Sequence, residues 1–437
     1  MRLIVAVGAV LAFFAVARAW ETRIINDDAL PHGLRGAGAG LGLLLLGSYL
    51  FGLLSKRVKL PKLSGYLIFG MLVGPSALAM VTKPQLEYLR LVNGLAISVI
   101  ALTAGGEIDL QVLRARFGAI ASVAFSVTVC AGLGVFAIAA TAPGLFGFEG
   151  GSWEVTALAA AALLGTLSIA NSPAVLVALM SEQSAHGPMA QTALAATVMK
   201  DLVLVTLFAV VFAWAGPVLG GASHGGAVTA HLAREIGGSV LFGAVAGVLM
   251  ALYLHRSGAN LAVFVVLSGF GISLLSEVLG LEPLLAGLTA GILMRNLWAE
   301  EAEPLFEAIE HLSLPVYCVF FAVAGAKLEL ARLPEVGVAA GSLVAIRAVF
   351  TYLGVRAGAR LGRLDEPSRR RLWTAFMPQA GVVLALASIV NESLAGEPIG
   401  ERFFMVVVVA MGAHEIIGPV LLRWGLDGDE AEPADGP

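Results

Sequence analysis

The sequence contains few charged residues for its length. Of its 437 residues, 13% are Asp, Glu, Lys or Arg and 58% are hydrophobic, whereas soluble domains contain roughly 25% charged residues. A soluble protein of this composition would have too little polar surface to present to water, so that class is excluded. No basic domain is present, and we expect no nucleic-acid partner. The mean hydropathy of +0.88 indicates an integral membrane protein.

Cysteine and the motifs of common enzymes are also scarce. Cys130 and Cys318 both lie in apolar runs without a CxxC or Cys/His cluster, so neither a disulfide nor a metal site is indicated. No HExxH or P-loop motif occurs in the sequence, and we expect neither an enzyme nor a requirement for a cofactor. Glycine is abundant, with 52 residues, which suits membrane helices that approach one another closely.

Long apolar runs fill most of the chain. A helix that spans a bilayer needs about 20 mostly apolar residues, and thirteen segments after residue 35 fit that description. They are 36–54, 61–80, 88–107, 117–140, 153–180, 189–213, 234–255, 259–277, 282–295, 312–327, 334–361, 370–391 and 402–424. Since the loops between them are short, we expect an all-α polytopic membrane protein whose membrane domain covers residues 36–424.

The two ends of the chain differ from this pattern. Residues 3–19 follow Arg2 and end in Ala17-Arg18-Ala19, which is typical of a signal peptide but equally compatible with an additional N-terminal helix. Both interpretations place residues 20–35 of the N-terminal region 1–35 in an outer loop. The acidic, proline-containing tail at 425–437 is expected to be disordered.

The distribution of Lys and Arg predicts an orientation. If residues 20–35 lie outside, sixteen of the 27 basic residues fall on the cytoplasmic side and nine fall outside, while Lys200 and Arg347 lie within segments. Cytoplasmic loops are enriched in Lys and Arg. We therefore expect a multi-pass protein of the inner (plasma) membrane, with the core N-terminus outside and the C-terminus in the cytoplasm.

Two halves of the sequence resemble each other. ALTAGGEIDL at 101–110 is similar to FAVAGAKLEL at 321–330, and Gly70-xxx-Gly74 matches Gly287-xxx-Gly291. These matches predict two related units of five helices, the second to sixth and the ninth to thirteenth segments. The spacing between the units inverts the second relative to the first. Inverted repeats are typical of secondary transporters, whose substrate site lies near the midplane where the repeats meet.

Polar residues and proline interrupt matching segments of the two repeats. One interruption contains Asn171, Ser172 and Pro173, and the other contains Pro378 and Gln379. Proline lacks the backbone donor that a helix requires and clashes with the preceding turn. A pair of interrupted helices is a pointer to a transporter site, and we expect the two to cross there. The alternative is that each is a proline kink that serves packing.

Lys200 and Asp201 lie in the middle of an otherwise apolar segment. Charged side chains near the centre of a bilayer are costly and usually mark a transport pathway or a proton relay. A carboxylate can bind either a proton or a dehydrated cation, which is the competition that an exchanger needs. Asp201 is therefore the first candidate for the ion- and proton-binding group, and the alternative is a purely structural Lys–Asp pair.

Arg347 and the pair His414-Glu415 are the other deep polar residues. Arg347 needs an anionic partner or a polar cavity, for which Asp201, Glu415 or the carbonyls of the interrupted helices are candidates. We expect it to balance charge where those helices cross. The pair His414-Glu415 corresponds in position to Lys200-Asp201. Histidine titrates near neutral pH, so His414 could relay protons or sense pH, although hydrogen-bonded scaffolding is the commoner role of a single histidine.

Together these residues resemble the monovalent cation:proton antiporter-2 family, which includes Kef-type potassium efflux proteins and bacterial sodium/proton exchangers. The resemblance covers about residues 40–424 and rests on the order of six features. They are KLSGYLIFGMLVGPSAL, SIANSPAV, Asp201, EPLLAGLTAGILMRN, FFAVAGAKLEL and the break at Pro378-Gln379. By this resemblance, Asp201 matches the essential carboxylate and Arg347 matches the basic residue of the facing helix.

The same resemblance implies a homodimer with an elevator-like alternation. The dimerisation part would comprise about 36–110 and 259–330, and the moving core about 117–213 and 334–424. Lys200 departs from the family pattern, in which Asp, Asn or Gln usually precedes the key acid. From the resemblance as a whole, we expect a cation:proton antiporter for Na⁺ or K⁺. The alternatives are a carrier of another solute, such as an organic anion, on the same architecture, and a non-transporting membrane sensor.

Overall fold

The computed structural model describes residues 37–148, 151–185, 187–220, 225–256, 260–328, 333–379, 381–394 and 397–427, together with residues 8 and 12. Apart from residues 8 and 12, the expected N-terminal segment at 1–35 lies outside the described residues. The same holds for residues 428–437 of the expected C-terminal tail.

Helices account for nearly all of the described chain, and no strand occurs in that part. In the first half they are α1 (Ala37–Arg57), α2 (Lys62–Val73), α3 (Lys83–Tyr88), α4 (Arg90–Gly106), α5 (Leu110–Ala115), α6 (Phe117–Thr141), α7 (Val155–Leu167), α8 (Pro173–Gln183) and α9 (Pro188–Val218). In the second half they are α10 (Gly225–Arg256), α11 (Leu261–Leu279), α12 (Pro283–Leu297), α13 (Ala299–Ala326), α14 (Leu333–Leu361), α15 (Glu366–Arg371), α16 (Gly381–Ser393) and α17 (Pro398–Leu426). Short 3₁₀ helices span Pro143–Phe146 and Leu372–Phe376.

Eight of the described helices are long and apolar enough to cross a membrane. They are α1, α6, α9, α10, α11, α13, α14 and α17. Shorter apolar helices are found at α2, α4, α7 and in Val382–Ser393 of α16. The protein is therefore an all-α, multi-span membrane protein, and the count of thirteen spans remains a prediction.

Several helix bounds differ from the expected segments for identifiable reasons. Helix α13 begins at Ala299 rather than near residue 312, because its first turns are acidic and a search for apolar runs passes over them. Glu300 and Glu301 in its first turn suit the positive end of the helix dipole. Helix α2 ends at Val73 rather than near residue 80, since Gly74 and Pro75 follow it and proline disfavours helical backbone in the residue before it.

The chain forms two compact units, which we call unit 1 and unit 2. Unit 1 comprises Met1–Glu107 and Gly238–Leu330, and unit 2 comprises Ile108–Gly237 and Ala331–Pro437. The boundary at Gly238 falls within α10, so most of that helix belongs to unit 1.

Unit 1 is built on close contacts between small residues of α2 and α13. A Cβ atom at Gly70 would overlap the backbone of Ala322, and one at Gly74 would overlap the backbone of Ala326. In the opposite direction, a Cβ at Gly325 would overlap the backbone of Leu67. Only glycine at these positions lets the two helix backbones approach so closely, as in other tightly packed membrane helices.

A second pair of helices in unit 1, α4 and α12, makes contacts of the same kind. A Cβ at Gly291 would overlap the backbone at Leu102 and Gly105, and one at Gly105 would overlap the backbone at Leu288. Gly291 and Gly105 are the sequence counterparts of Gly74 and Gly325 in the expected repeat. The α2–α13 and α4–α12 pairs are therefore packed through corresponding glycines.

Unit 2 contains a third glycine-lined contact, between α14 and α6. Gly354 and Gly358 lie four residues apart on α14, and each lies against the backbone of α6, near Ser126 and Ser122 respectively. The four-residue spacing places both glycines on one face of the helix. Gly362, just after the end of α14, lies against Ala119 of α6. This contact holds α14, which contains Arg347, firmly in the unit.

Candidate functional site

The expected segment 153–180 is two helices rather than one. Helix α7 ends at Leu167, and α8 begins at Pro173. Ser172 is the N-cap of α8, and its side chain accepts a hydrogen bond from the N–H of Val175 at 3.3 Å. Pro173 occupies the first position of α8, where its missing donor costs nothing. This proline therefore starts a helix instead of kinking one, and residues 168–172 form a non-helical stretch.

The second expected interruption lies in segment 370–391. The 3₁₀ helix Leu372–Phe376 ends before Met377, and Pro378 and Gln379 are non-helical. The two interruptions touch, since the N–H of Ser172 donates to the carbonyl of Pro378 at 3.1 Å. The side-chain amide of Gln379 reaches the carbonyl of Leu167 at 3.5 Å. Both non-helical stretches therefore meet in one place within unit 2.

Arg347 lies at this meeting point and is 1% exposed. Its Nε donates to the carbonyl of Ser168 at 2.9 Å, and its Nη2 donates to the carbonyl of Ala170 at 2.7 Å. The same guanidinium donates to the carbonyls of Phe376 and Met377, both at 3.0 Å. Of the three kinds of partner expected for Arg347, the structure shows the carbonyls of the interrupted helices.

The physical reason for this arrangement is the chemistry of helix ends. A helix that stops leaves up to four carbonyls without donors and a partial negative charge at its C-terminus. The first halves of both interrupted helices end beside Arg347, where water is excluded. One guanidinium, with five N–H donors in a fixed plane, supplies the hydrogen bonds and the positive charge that both ends need.

His414 packs against Arg347 from α17. Its side chain is 0% exposed, and both ring nitrogens lie 3.4 Å from Nη1 of Arg347. The histidine therefore lies behind the guanidinium and contacts the cluster through it. This position fits hydrogen-bonded scaffolding, which was one of the two roles expected for His414.

Lys200 connects α9 to both interruptions. It is 1% exposed, and its Nζ donates a hydrogen bond to Oδ1 of Asn171 in the first non-helical stretch. The ammonium also lies 4.8 Å from the centre of the Phe376 ring, at the second interruption, within the range of a cation–π interaction. The amide nitrogen of Asn171 is buried without a hydrogen-bond partner in the described part of the chain.

Asp201 follows Lys200 on α9 and is half-buried. Thr197, four residues earlier, shares its helix face and is 0% exposed. The hydroxyl of Thr197 has no hydrogen-bond partner among the described residues. Thr197 was not expected from the sequence, although a polar residue one turn before a mid-membrane acid is a pattern that could have indicated it.

Glu415 differs from the other acidic residues of unit 2. Its Oε2 is shielded from solvent and has no hydrogen-bond partner in the described structure. Pro419, four residues later in α17, has no N–H to donate to the Glu415 backbone carbonyl. Glu415 thus presents an unpaired carboxylate oxygen within the helix.

Most of the expected site residues converge on the two interruptions. Direct hydrogen bonds or a ring contact join the interruptions to Arg347 and Lys200, and His414 adjoins them through Arg347. Gln379 contacts the last residue of α7. Asp201 adjoins the cluster through Lys200 and lies on the same helix as Thr197. All of these residues belong to unit 2, and unit 1 contributes none of the expected site residues.

Comparison with known proteins agrees with this architecture. The model of the family described as "Sodium/hydrogen exchanger, transmembrane" matches residues 42–424. The chain is 27% identical over 390 residues to the glutathione-regulated potassium-efflux system protein KefC of Salmonella heidelberg, and a Salmonella schwarzengrund protein of the same name is 26% identical. These alignments cover 84% of this chain and 57% of each relative, so the chain spans little more than half the length of these relatives.

Among solved structures, the sodium proton antiporter MjNhaP1 of Methanocaldococcus jannaschii at pH 8 has a similar fold. The TM-score is 0.63 at 17% sequence identity, and the match covers 90% of this chain and 95% of that one. The family match spans nearly the whole membrane domain, and the interrupted helices lie within it. The chain belongs to the sodium/hydrogen exchanger family of monovalent cation:proton antiporters.

Proposed function

We propose that the chain is a secondary-active antiporter that exchanges Na⁺ or K⁺ for protons at a site centred on Asp201. The observation that supports this most directly is the position of a mid-membrane carboxylate beside two interrupted helices that meet within one unit. Such a meeting supplies oxygen atoms and helix termini where an ion must lose its water. The name of the KefC relatives includes potassium efflux, so K⁺ belongs among the ions to be tested.

The oxygen atoms that we propose as ligands suit an alkali cation. The carboxylate of Asp201, the hydroxyl of Thr197, the side-chain oxygen of Asn171 and the hydroxyl of Ser172 are the proposed ligands. Ser172 accepts one hydrogen bond and keeps a second lone pair. Hard cations prefer oxygen ligands, and a carboxylate cannot hold a proton and the cation at the same time. This competition couples the two fluxes.

Lys200 constrains the proposal, because its ammonium already donates a hydrogen bond to Oδ1 of Asn171. An amide oxygen in contact with an ammonium is not free to bind a second cation in the same position. Lys200 therefore either carries a transported proton or serves as an internal counter-charge that helps Asp201 to release its ion. In both cases the contact between Lys200 and Asn171 changes during the cycle.

Arg347, His414, Glu415, Pro173, Pro378 and Gln379 have supporting roles in the proposal. Arg347 holds the two interruptions together, His414 packs behind it, and the prolines and Gln379 maintain the non-helical stretches. Glu415 contributes a second acidic position on the opposite repeat. None of these residues needs to touch the transported ion.

The wider architecture is proposed on the same basis. The corresponding glycine contacts of α2 with α13 and of α4 with α12 support two inverted repeats within thirteen membrane segments. Unit 1 would provide the dimerisation part of a homodimer (about 36–110 and 259–330), and unit 2 the moving core (about 117–213 and 334–424). The Lys and Arg distribution supports a C-terminus in the cytoplasm.

The experiment is proton flux in proteoliposomes containing a pH-sensitive dye, with Na⁺, K⁺ or Li⁺ added in turn. For the wild type we expect cation-triggered proton movement, and for Asp201→Asn we expect none, because the amide cannot exchange a proton for a cation. Glu182→Gln is a matched acid-to-amide control outside the cluster and should retain flux. Flux that persists in Asp201→Asn would contradict the proposed site.

A second candidate function, transport of an organic anion, is favoured by one observation. Lys200, Arg347 and the unpartnered amide nitrogen of Asn171 place three donors near the interruptions. If no cation triggers proton movement in well-sealed vesicles, uptake of carboxylate solutes and its loss in Lys200→Gln would favour this alternative.

A further inference from the structure

A dense group of arginines lies at one end of unit 2, away from the proposed ion site. Residues 356–371 contain six arginines and only two acidic residues. With Arg423 of α17 these arginines form what we call the arginine patch. It comprises Arg356, Arg360, Arg363, Arg369, Arg370, Arg371 and Arg423. The patch surrounds the end of α14, the short helix α15 and the end of α17.

The two acidic residues of this segment do not neutralise the patch. Glu366 forms ion pairs with Arg369 at 3.8 Å and with Arg370 at 3.0 Å. The side chain of Asp365 caps α15 by accepting the N–H of Ser368 at 3.1 Å. Both carboxylates are therefore already engaged locally, while five of the seven guanidiniums make no ion pair in the described structure.

Several guanidinium groups of the patch lack an acceptor. Arg360 and Arg363 are exposed, and neither side chain has a hydrogen-bond or ion-pair partner among the described residues. The Nε of Arg369 and the Nη1 of Arg423 are shielded from solvent and also have no partner. Shielded N–H donors without acceptors are costly, so an acceptor supplied from outside the chain would stabilise them.

The backbone conformation of Arg363 is also unusual for an arginine. Arg363 has a φ of 55°, in the left-handed region where a side chain costs roughly 1–2 kcal/mol and glycine costs little. The N–H of Leu364 bonds to the carbonyl of Ala359, as in the helix ends that usually place glycine at this position. An arginine here gives up local stability and presents an unpaired charge.

Aromatic side chains of the kind found at the depth of lipid headgroups adjoin the patch. Tyr352 and Trp373 pack edge to face with ring centres 5.7 Å apart, and Arg356 lies 5.8 Å from the Tyr352 ring. Arg371 lies 5.8 Å from the ring of Trp424. Tyr and Trp are enriched at the boundary between membrane and water, where the phosphates of phospholipids are also found.

We propose that the arginine patch is a binding site for anionic phospholipids. Clusters of four to eight basic residues next to membrane helices attract anionic headgroups, and guanidinium groups bind phosphate oxygens in a bidentate manner. The patch continues directly into the 3₁₀ helix Leu372–Phe376, whose last carbonyl accepts from Arg347. A bound lipid therefore stabilises the start of the interrupted helix, independently of which ion the protein transports.

The test compares lipid retention by purified protein, measured by native mass spectrometry, and thermal stability in detergent on addition of phosphatidylglycerol or phosphatidylcholine. We expect the wild type to retain phosphatidylglycerol and to be stabilised by it, but not by phosphatidylcholine. The double variant Arg360→Gln with Arg363→Gly should bind about 30-fold more weakly, because each cation contributes about a factor of five. The glycine also removes the left-handed strain, so loss of binding cannot be attributed to misfolding.

The matched control is Lys56→Gln with Arg57→Gln, two exposed cations at the end of α1 in unit 1. It removes the same charge and should bind like the wild type. Equal binding by the patch variant and the wild type would overturn the proposal, as would equal losses in both double variants, which would show diffuse attraction only. Stabilisation by inorganic phosphate alone, at the same phosphate concentration as the lipid, would overturn the lipid assignment in favour of a free anion. Since no readout uses transport, failure here is distinct from failure of the antiporter proposal.

Discussion

Unit 1 and unit 2 are both bundles of apolar helices, but they bury different side chains. The fully buried polar residues of unit 1 are serines and Gln85, whereas unit 2 also buries Lys200, Arg347 and His414. Unit 1 achieves close contact through glycine, as between Gly70 and Ala322. Unit 2 combines such contacts with two interrupted helices. The difference concerns the described residues of both units.

The comparison shows why buried charge and interrupted helices occur together. A continuous helix satisfies its own backbone, so α2 and α13 can pack closely through glycine without a buried charge. An interrupted helix leaves carbonyls that must find donors in the membrane interior. Arg347 supplies four such hydrogen bonds. The buried Arg347 of unit 2 is therefore a physical consequence of interrupting two helices in the membrane interior.

The largest expected effect comes from removing the guanidinium that holds the interruptions. Arg347→Met should destabilise the protein by about 3–5 kcal/mol, because four buried carbonyls lose their donor. The measurement is thermal unfolding in detergent, followed by size-exclusion chromatography. Arg402→Met is the matched control, since Arg402 is only partly buried and its guanidinium donates to one carbonyl, that of Glu335. A stability of Arg347→Met equal to that of the control would contradict a structural role for Arg347.

The next effect tests the glycine contacts of unit 1. Gly70→Ala should destabilise the protein by about 1–3 kcal/mol, because the new methyl group overlaps the backbone of Ala322 and the helices must separate. Gly271→Ala in α11 is the control, since nothing lies within 4 Å of a Cβ built there. The measurement is the thermal unfolding of both variants, which gives the difference in their stabilities. Equal stabilities would show that α2 and α13 can move apart without cost.

Some of these features could be predicted from the sequence, and others could not. The interruptions at Pro173 and Pro378 were predictable, because proline and polar residues break apolar runs at matching places. The partners of Arg347 were left open among three kinds, since the choice depends on how the two interrupted helices cross. Thr197 was missed because a hydroxyl in an apolar run becomes informative only when its four-residue spacing from Asp201 is considered.

The helix bounds were likewise only partly predictable from the sequence. Long apolar runs located the helices, because apolar length is what the membrane requires. The first turns of α13 were missed, since Glu300 and Glu301 favour a helix start but are not apolar. Whether α7 and α8 were two helices or one kinked helix depended on Ser172, whose capping hydrogen bond is visible only in the structure.

A smaller, functional effect is expected at Lys200. Lys200→Gln should tighten apparent cation affinity by a factor on the order of ten, because a neighbouring positive charge is removed from a site of low dielectric. The measurement is the cation dependence of proton flux in proteoliposomes across a range of pH. Lys56→Gln, an exposed cation of unit 1, is the control. If rate, affinity and pH profile are all unchanged in Lys200→Gln, neither proposed role of Lys200 holds.

The smallest effect is expected at the cap of α15, where unit 2 follows the rules of water-soluble helices. Partial burial opposes ionisation of Asp365, but hydrogen bonds from Ser368 and the nearby charge of Arg116 outweigh it and lower the pKa of Asp365. A lowered pKa means that the carboxylate stabilises the fold above its ordinary pKa of about 3.9, and that this contribution is lost as the pH falls. Asp365→Ala should therefore cost about 0.5–2 kcal/mol at pH 7, the usual value of an N-cap.

Asp365→Asn separates the cap from the charge, because asparagine is as good an N-cap as aspartate. Its unfolding temperature at pH 7 should lie close to that of the wild type, while Asp365→Ala should unfold earlier. The gap between Asp365→Ala and the wild type should narrow as the pH is lowered below about 4. A gap that stays constant with pH would mean that the hydrogen bond to Ser368, and not the charge of Asp365, supports α15. In that case this end of unit 2 would depend on geometry alone, as the contacts of unit 1 do.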